Sequence, residues 1–281
     1  MHATRRGNGP QFNPDEEAAG WMAGTPYGLL ALLGAALALC AALTALGVLP
    51  AGPLRAVTLT AAHGGMLATA LGWSGTGDAR GPGDPRAPLV VVATVALAMT
   101  MTTLDSRATI AYLLTPLALV VLAARGRLRA LGVARPVPVG GVLVGAGLGA
   151  LLGAHLLLSA SRSLRYHVGP HGLAAYLAAV AYDVGANVPS SEVFFRGALF
   201  NRLQRRTSFA VAAPVATAAT VGRYLIDPLL PQTAEVFIGT VLYVALLGVT
   251  NAWLFWRTGS LLPGIASAVV FFAAWRLILA S

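Results

Sequence analysis

Nine apolar runs divide this chain, and they constrain its fold more than any motif does. They span residues 27–49, 54–73, 89–103, 108–124, 139–160, 172–203, 208–226, 234–256 and 261–280. A helix needs about 20 apolar residues to cross the hydrocarbon of a bilayer, and most of these runs approach or exceed that length. Only 10% of the residues are charged and 57% are hydrophobic, whereas a soluble domain carries about 25% charged residues. Such a surface cannot be coated for water, so a soluble enzyme is excluded. The reading is an all-α, polytopic transmembrane helical bundle of about nine spans. Pro189 lies inside the sixth run. A kink there leaves nine spans and a break makes ten segments.

The charge pattern favours nine. Every basic residue is Arg, and the net charge is +9. In a soluble chain that excess would suggest nucleic acid, but these arginines sit in the short gaps between apolar runs, where they orient a membrane protein. With the 125–138 linker in the cytoplasm, alternation puts Arg5, Arg6, Arg80, Arg86, Arg125, Arg127, Arg129, Arg135, Arg202, Arg205, Arg206 and Arg257 on the cytoplasmic side. Arg55, Arg107, Arg162, Arg165 and Arg276 fall outside. Twelve against five predicts a multi-pass protein of the plasma membrane, N terminus cytoplasmic and C terminus external, with no nucleic-acid partner.

Residues 1–26 read as a flexible polar tail, 27–124 as N-terminal transmembrane helices and 125–281 as a second transmembrane unit. The lone Cys40 excludes disulfides within the chain and thiolate metal clusters. Gly141, Gly145, Gly149 and Gly153 recur every four residues along one helix. Small residues at that spacing let membrane helices approach closely, as a dimer seam or as an internal contact.

Ionisable groups inside apolar runs are costly and mark function or a structural pair. The candidates are His63, His155, Asp183, Glu192, Arg196, Arg223 and Glu235. Glu192 and Arg196 form a set, four apart on one helix side, in Pro189-Ser190-Ser191-Glu192-Val193-Phe194-Phe195-Arg196-Gly197. His167 and His171 fall in a predicted outer loop. No three His, Asp or Glu side chains converge as a metal site requires, so neither metal nor cofactor is expected.

The run SSEVFFRGALF resembles the first motif of the CPBP intramembrane proteases, the group of the Rce1-type CAAX prenyl proteases and bacteriocin self-immunity proteins. That motif reads Glu-Glu-x-x-x-Arg. The Gly132-Val133-x-Arg135-Pro136 linker and WLFWRTGSLLPGIASA extend the likeness over roughly residues 125–280, a CPBP/Rce1-like core. The resemblance implies proteolysis of prenylated or membrane-anchored peptides through two glutamates, two histidines and an asparagine. The water-activating Glu falls on Ser191, while the second Glu and the Arg fall on Glu192 and Arg196. The first His falls on Arg223, and the last His and Asn fall on Ser267 and Phe271.

Three readings follow. The first is a catalytically degenerate CPBP-type protein that binds a membrane peptide, lipid or protein partner. The second is an endopeptidase with a rewired site, and the third is a small transporter with Glu192, Asp183 and the arginines as a relay. For Arg223 two placements stand: in a cluster with Glu192 and Arg196, or snorkelling to the outer interface beside Asp227.

Overall fold

The computed structural model of the chain describes residues 22–75, 86–133, 138–163, 165–170, 172–226 and 234–279. Among them nine helical rods follow one another: α1 (Tyr27–Ala45), α2 (51–75), α3 (Ala87–Leu104), α4 (Ala108–Ala124), α5 (Val139–Arg162), α6 (173–206), α7 (Phe209–Leu225), α8 (Ala234–Thr258) and α9 (Leu262–Trp275). Each coincides with one apolar run to within a few residues. A two-residue ribbon pairs β1 (His167–Val168) with β2 (Ile278–Leu279), antiparallel. The protein is an all-α membrane bundle.

The distribution of side chains is that of a protein dissolved in lipid. Leu32 and Leu39 of α1, Leu143 and Leu151 of α5 and Leu242 of α8 face outward. His63, Asp183, Asn187, Glu192, Arg196, Asn251 and Ser267 are buried. Hydrocarbon solvates the leucines and cannot solvate the charges, so the polar set is held against itself.

Helices α1, α3 and α5 are uninterrupted and each is long and apolar enough to span a bilayer. Others change their winding. A π turn at Thr60–Gly64 interrupts α2, and α6 contains two more, at Asp183–Asn187 and Glu192–Phe200. Pro189 does not break α6. The π turn that ends at Asn187 shifts the hydrogen-bond register just ahead of the residue that lacks an N–H.

The glycine stripe faces inward. A Cβ on Gly145 would strike the Pro263 carbonyl, one on Gly149 the Ser267 carbonyl, and one on Gly153 would come within 2.7 Å of the Ala274 methyl. Gly141 lies against Pro263 and Thr258. The stripe is therefore the α5–α9 contact inside the bundle, and the dimer-seam alternative is set aside.

The chain does not divide in packing at residue 124. One apolar cluster joins Leu67 and Val91 of the first helices to Phe200, Ala213, Phe255 and Leu261, and Gly185 of α6 is pressed onto the Tyr112 backbone. Residues 22–26, assigned by sequence to a flexible tail, are docked. Trp73 donates from Nε1 to Thr25 Oγ1 at 2.8 Å, and Arg202 donates to the Ala23 carbonyl at 2.9 Å. The rest of that tail lies outside the described residues.

Candidate functional site

Two polar layers lie around α6, and the π turns set them there. The first is built on Glu192 and Arg196, which are 3% and 1% exposed. Arg196 Nη1 stands 3.6 Å from Glu192 Oε1 and donates to Thr220 Oγ1 of α7 at 3.0 Å. Thr220 donates its own proton to the Ala216 carbonyl, leaving a lone pair for the guanidinium. Asn251 of α8 donates from Nδ2 to Glu192 Oε1 at 2.9 Å and to the Gly264 carbonyl of α9 at 3.1 Å. The Glu192–Arg196 pair, through Thr220 and Asn251, thus links α7, α8 and α9 to α6.

Two glycines make room for this pair. A Cβ on Gly264 would stand 3.1 Å from Glu192 Oε2, and one on Gly248 would stand 2.8 Å from Arg196 Nη2. Several polar atoms here have no hydrogen-bond partner among the described residues: Glu192 Oε2, Arg196 Nε, Thr217 Oγ1, Asn251 Oδ1 and Ser267 Oγ.

The second layer centres on Asn187 and His63. Asn187 Oδ1 accepts from Arg223 at 3.0 Å and from Tyr224 at 2.9 Å, while its Nδ2 donates to Asp183 Oδ1. Asp183 also takes Arg276 in a two-point pair at 2.6 and 2.9 Å. His63, from α2, lies 2.7 Å by Nδ1 from Ser190 Oγ. Ser190 spends its proton on the Ala186 carbonyl at 2.6 Å, so Nδ1 is the donor to Ser190. Nε2 is then the acceptor, facing Tyr182 Oη at 2.8 Å and Arg223 Nη2 at 3.4 Å. Every hydrogen-bonding position of this imidazole is occupied.

The structure brings Glu192 and Arg196 together and separates them from Arg223. Of the two placements open for Arg223, the Arg196–Glu192–Arg223 cluster is not formed among the described residues: Arg223 contacts Asn187 and His63, and Asn251 donates to Glu192. Asp227, the partner in the snorkelling alternative, lies outside the described residues, as do His171 and the Glu235 side chain. Ser191 and Ser267 are buried. Phe271 is an apolar core residue beside Tyr243, Phe272 and Trp275. His155 is hydrogen-bonded to Tyr243 at 2.8 Å, and His167 is exposed in the ribbon.

Sequence reasoning missed Asn251, Thr217, Thr220 and Asn187. A lone Asn inside the apolar run of α8 was the available signal. Among the described residues no group of three His, Cys, Asp or Glu side chains could hold a metal ion.

Proteolytic water activation needs a base within hydrogen-bond reach of the water and a donor for the oxyanion. Here one oxygen of Glu192 is engaged, its neighbours are an amide, a guanidinium and hydroxyls, and the nearby imidazole is saturated. The arrangement suits a buried structural pair that holds four helices in register.

No curated protein and no solved structure matches the chain. Residues 173–274, which contribute all of this site except His63 and Arg276, match the family model described as type II CAAX prenyl endopeptidase Rce1-like. The last four helices therefore contain the stretch that is similar to an Rce1-like domain.

Proposed function

We propose that this chain is a catalytically degenerate Rce1-like membrane protein that acts by binding a membrane peptide, lipid or protein partner. The observation that carries this reading is the saturation of His63, held between Ser190 and Tyr182 with Arg223 at its edge. It touches Ser190, in the run that carries the motif, and it has no position left to accept a proton from water. Ser191, Arg223, Ser267 and Phe271, at the positions where the family pattern has its base, two histidines and asparagine, support the same conclusion. The arginine distribution supports a plasma-membrane protein with a cytoplasmic N terminus and an external C terminus.

One observation favours a rewired endopeptidase instead: Glu192 Oε2 has no donor among the described residues. The two readings separate in a binding experiment. The chain, reconstituted in lipid nanodiscs, is titrated with a fluorescent prenylated peptide, and the peptide is then recovered and weighed. Saturable binding with the peptide intact is expected. Recovery of shortened peptide would favour the endopeptidase, and absence of saturable binding would remove the prenylated peptide from the candidate partners.

A further inference from the structure

We propose that the end of the bundle carrying the 125–133 linker is a binding surface for anionic phospholipid headgroups. The linker is built to one shape. Gly126 and Gly132 take φ of +73° and +83°, in the left-handed region, and close two tight turns around the short 3₁₀ turn Arg129–Leu131. That loop is anchored in depth. Leu261 N–H donates to the Gly132 carbonyl at 3.0 Å, and Asn201 Nδ2 donates to the Ala130 carbonyl at 3.1 Å. Leu128 and Leu131 are buried beneath it.

The anchored loop turns Arg125, Arg127 and Arg129 outward, and all three are exposed. The end of α8 at the same face adds Arg257, also exposed. Residues 125–133 themselves contain three arginines and no carboxylate. The anchored loop therefore presents its arginines as a fixed, like-charged patch.

An amphiphile fits this patch better than a soluble anion does. Directly beside the linker, Val120 and Val121 of α4 and Val139 and Leu143 of α5 are exposed, a surface for acyl chains one to two turns from the guanidinium groups. Trp253 and Trp256 of α8 are 41% and 48% exposed, and Trp256 stacks near Phe209 with ring centroids 5.1 Å apart. Indole rings settle at the headgroup level of a bilayer, which puts the arginines at the depth of lipid phosphates. Each Arg near an anionic surface contributes about 1 kcal/mol, so the three linker arginines together correspond to a preference on the order of a hundredfold.

The test uses the full chain in detergent, offered equal phosphatidylglycerol and phosphatidylcholine of matched acyl length, with retained lipid read by native mass spectrometry. Preferential retention of phosphatidylglycerol is expected, falling as salt rises. The R125Q/R127Q/R129Q variant should lose most of the preference with its thermal stability unchanged, and R125K/R127K/R129K should keep it. No preference in the wild type, or full preference in the Gln variant, overturns the proposal. Displacement of the bound lipid by millimolar inorganic phosphate would assign the patch to a soluble anion and overturn it equally.

Discussion

Replacing Arg196 by Met tests whether the retained motif pair is a structural clamp. At 3.6 Å and an effective dielectric of about 20, the Arg196–Glu192 attraction is about 5 kcal/mol before desolvation. The Thr220 hydrogen bond adds about 1 kcal/mol. Met keeps the apolar stem and removes the charge, so Glu192 stays buried with Asn251 as its one remaining donor among the described residues. Leaving one member of a buried pair alone costs about 3–5 kcal/mol, and that loss is expected for Arg196→Met. Glu192→Gln should cost a comparable amount, because it leaves the guanidinium alone. Combining the two removes both charges and should bring the loss down to about 1–2 kcal/mol, a coupling several times the usual error of additivity. Reversible unfolding in bicelles, with all four forms measured side by side, reads this cycle. Additive losses, or an Arg196→Met loss below about 1 kcal/mol, would refute the clamp and the packing logic behind it.

Three further outcomes follow from the same geometry. Gly149→Leu forces a side chain into the Ser267 backbone. It should cost about 3 kcal/mol or prevent folding, and cross-linking should show an unchanged oligomeric state, since the stripe lies inside the bundle. His63→Leu removes the imidazole's contacts with Ser190, Tyr182 and Arg223, so a loss of about 1–3 kcal/mol is expected in the same unfolding assay. Arg276→Gln breaks the two-point pair with Asp183, whose partner side is 30% exposed. Water access moderates the cost to about 1–3 kcal/mol, read as earlier hydrogen exchange of the ribbon at residues 167–168 and 278–279.

The helices were legible because a bilayer imposes length and composition directly on the chain, and each apolar run became one rod. The continuity of α6 through Pro189 was legible from the arginines, whose alternation survives only if the helix continues. Glu192 and Arg196 were legible because a four-residue spacing is local. Partners across helices were not. One of the two placements for Arg223 put it at Glu192 on the likeness to the family, yet the π turns at Asp183–Asn187 and Glu192–Phe200 alter which residues of α6 face α7, and Asn187 meets it instead. His63 was visible as an isolated intramembrane imidazole, but nothing in the sequence ties residue 63 to residue 190. Asn251 carries no motif; its role exists only because Gly264 and Glu192 lie on either side of its amide.

The account rests on the claim that the Rce1-like region is a packed polar core and performs no hydrolysis. Its most direct test is turnover of a quenched prenylated peptide by the purified chain in lipid, beside a folded Glu192→Ala variant. The account predicts no turnover above the lipid blank in either. Turnover in the wild type that disappears in the variant would contradict it.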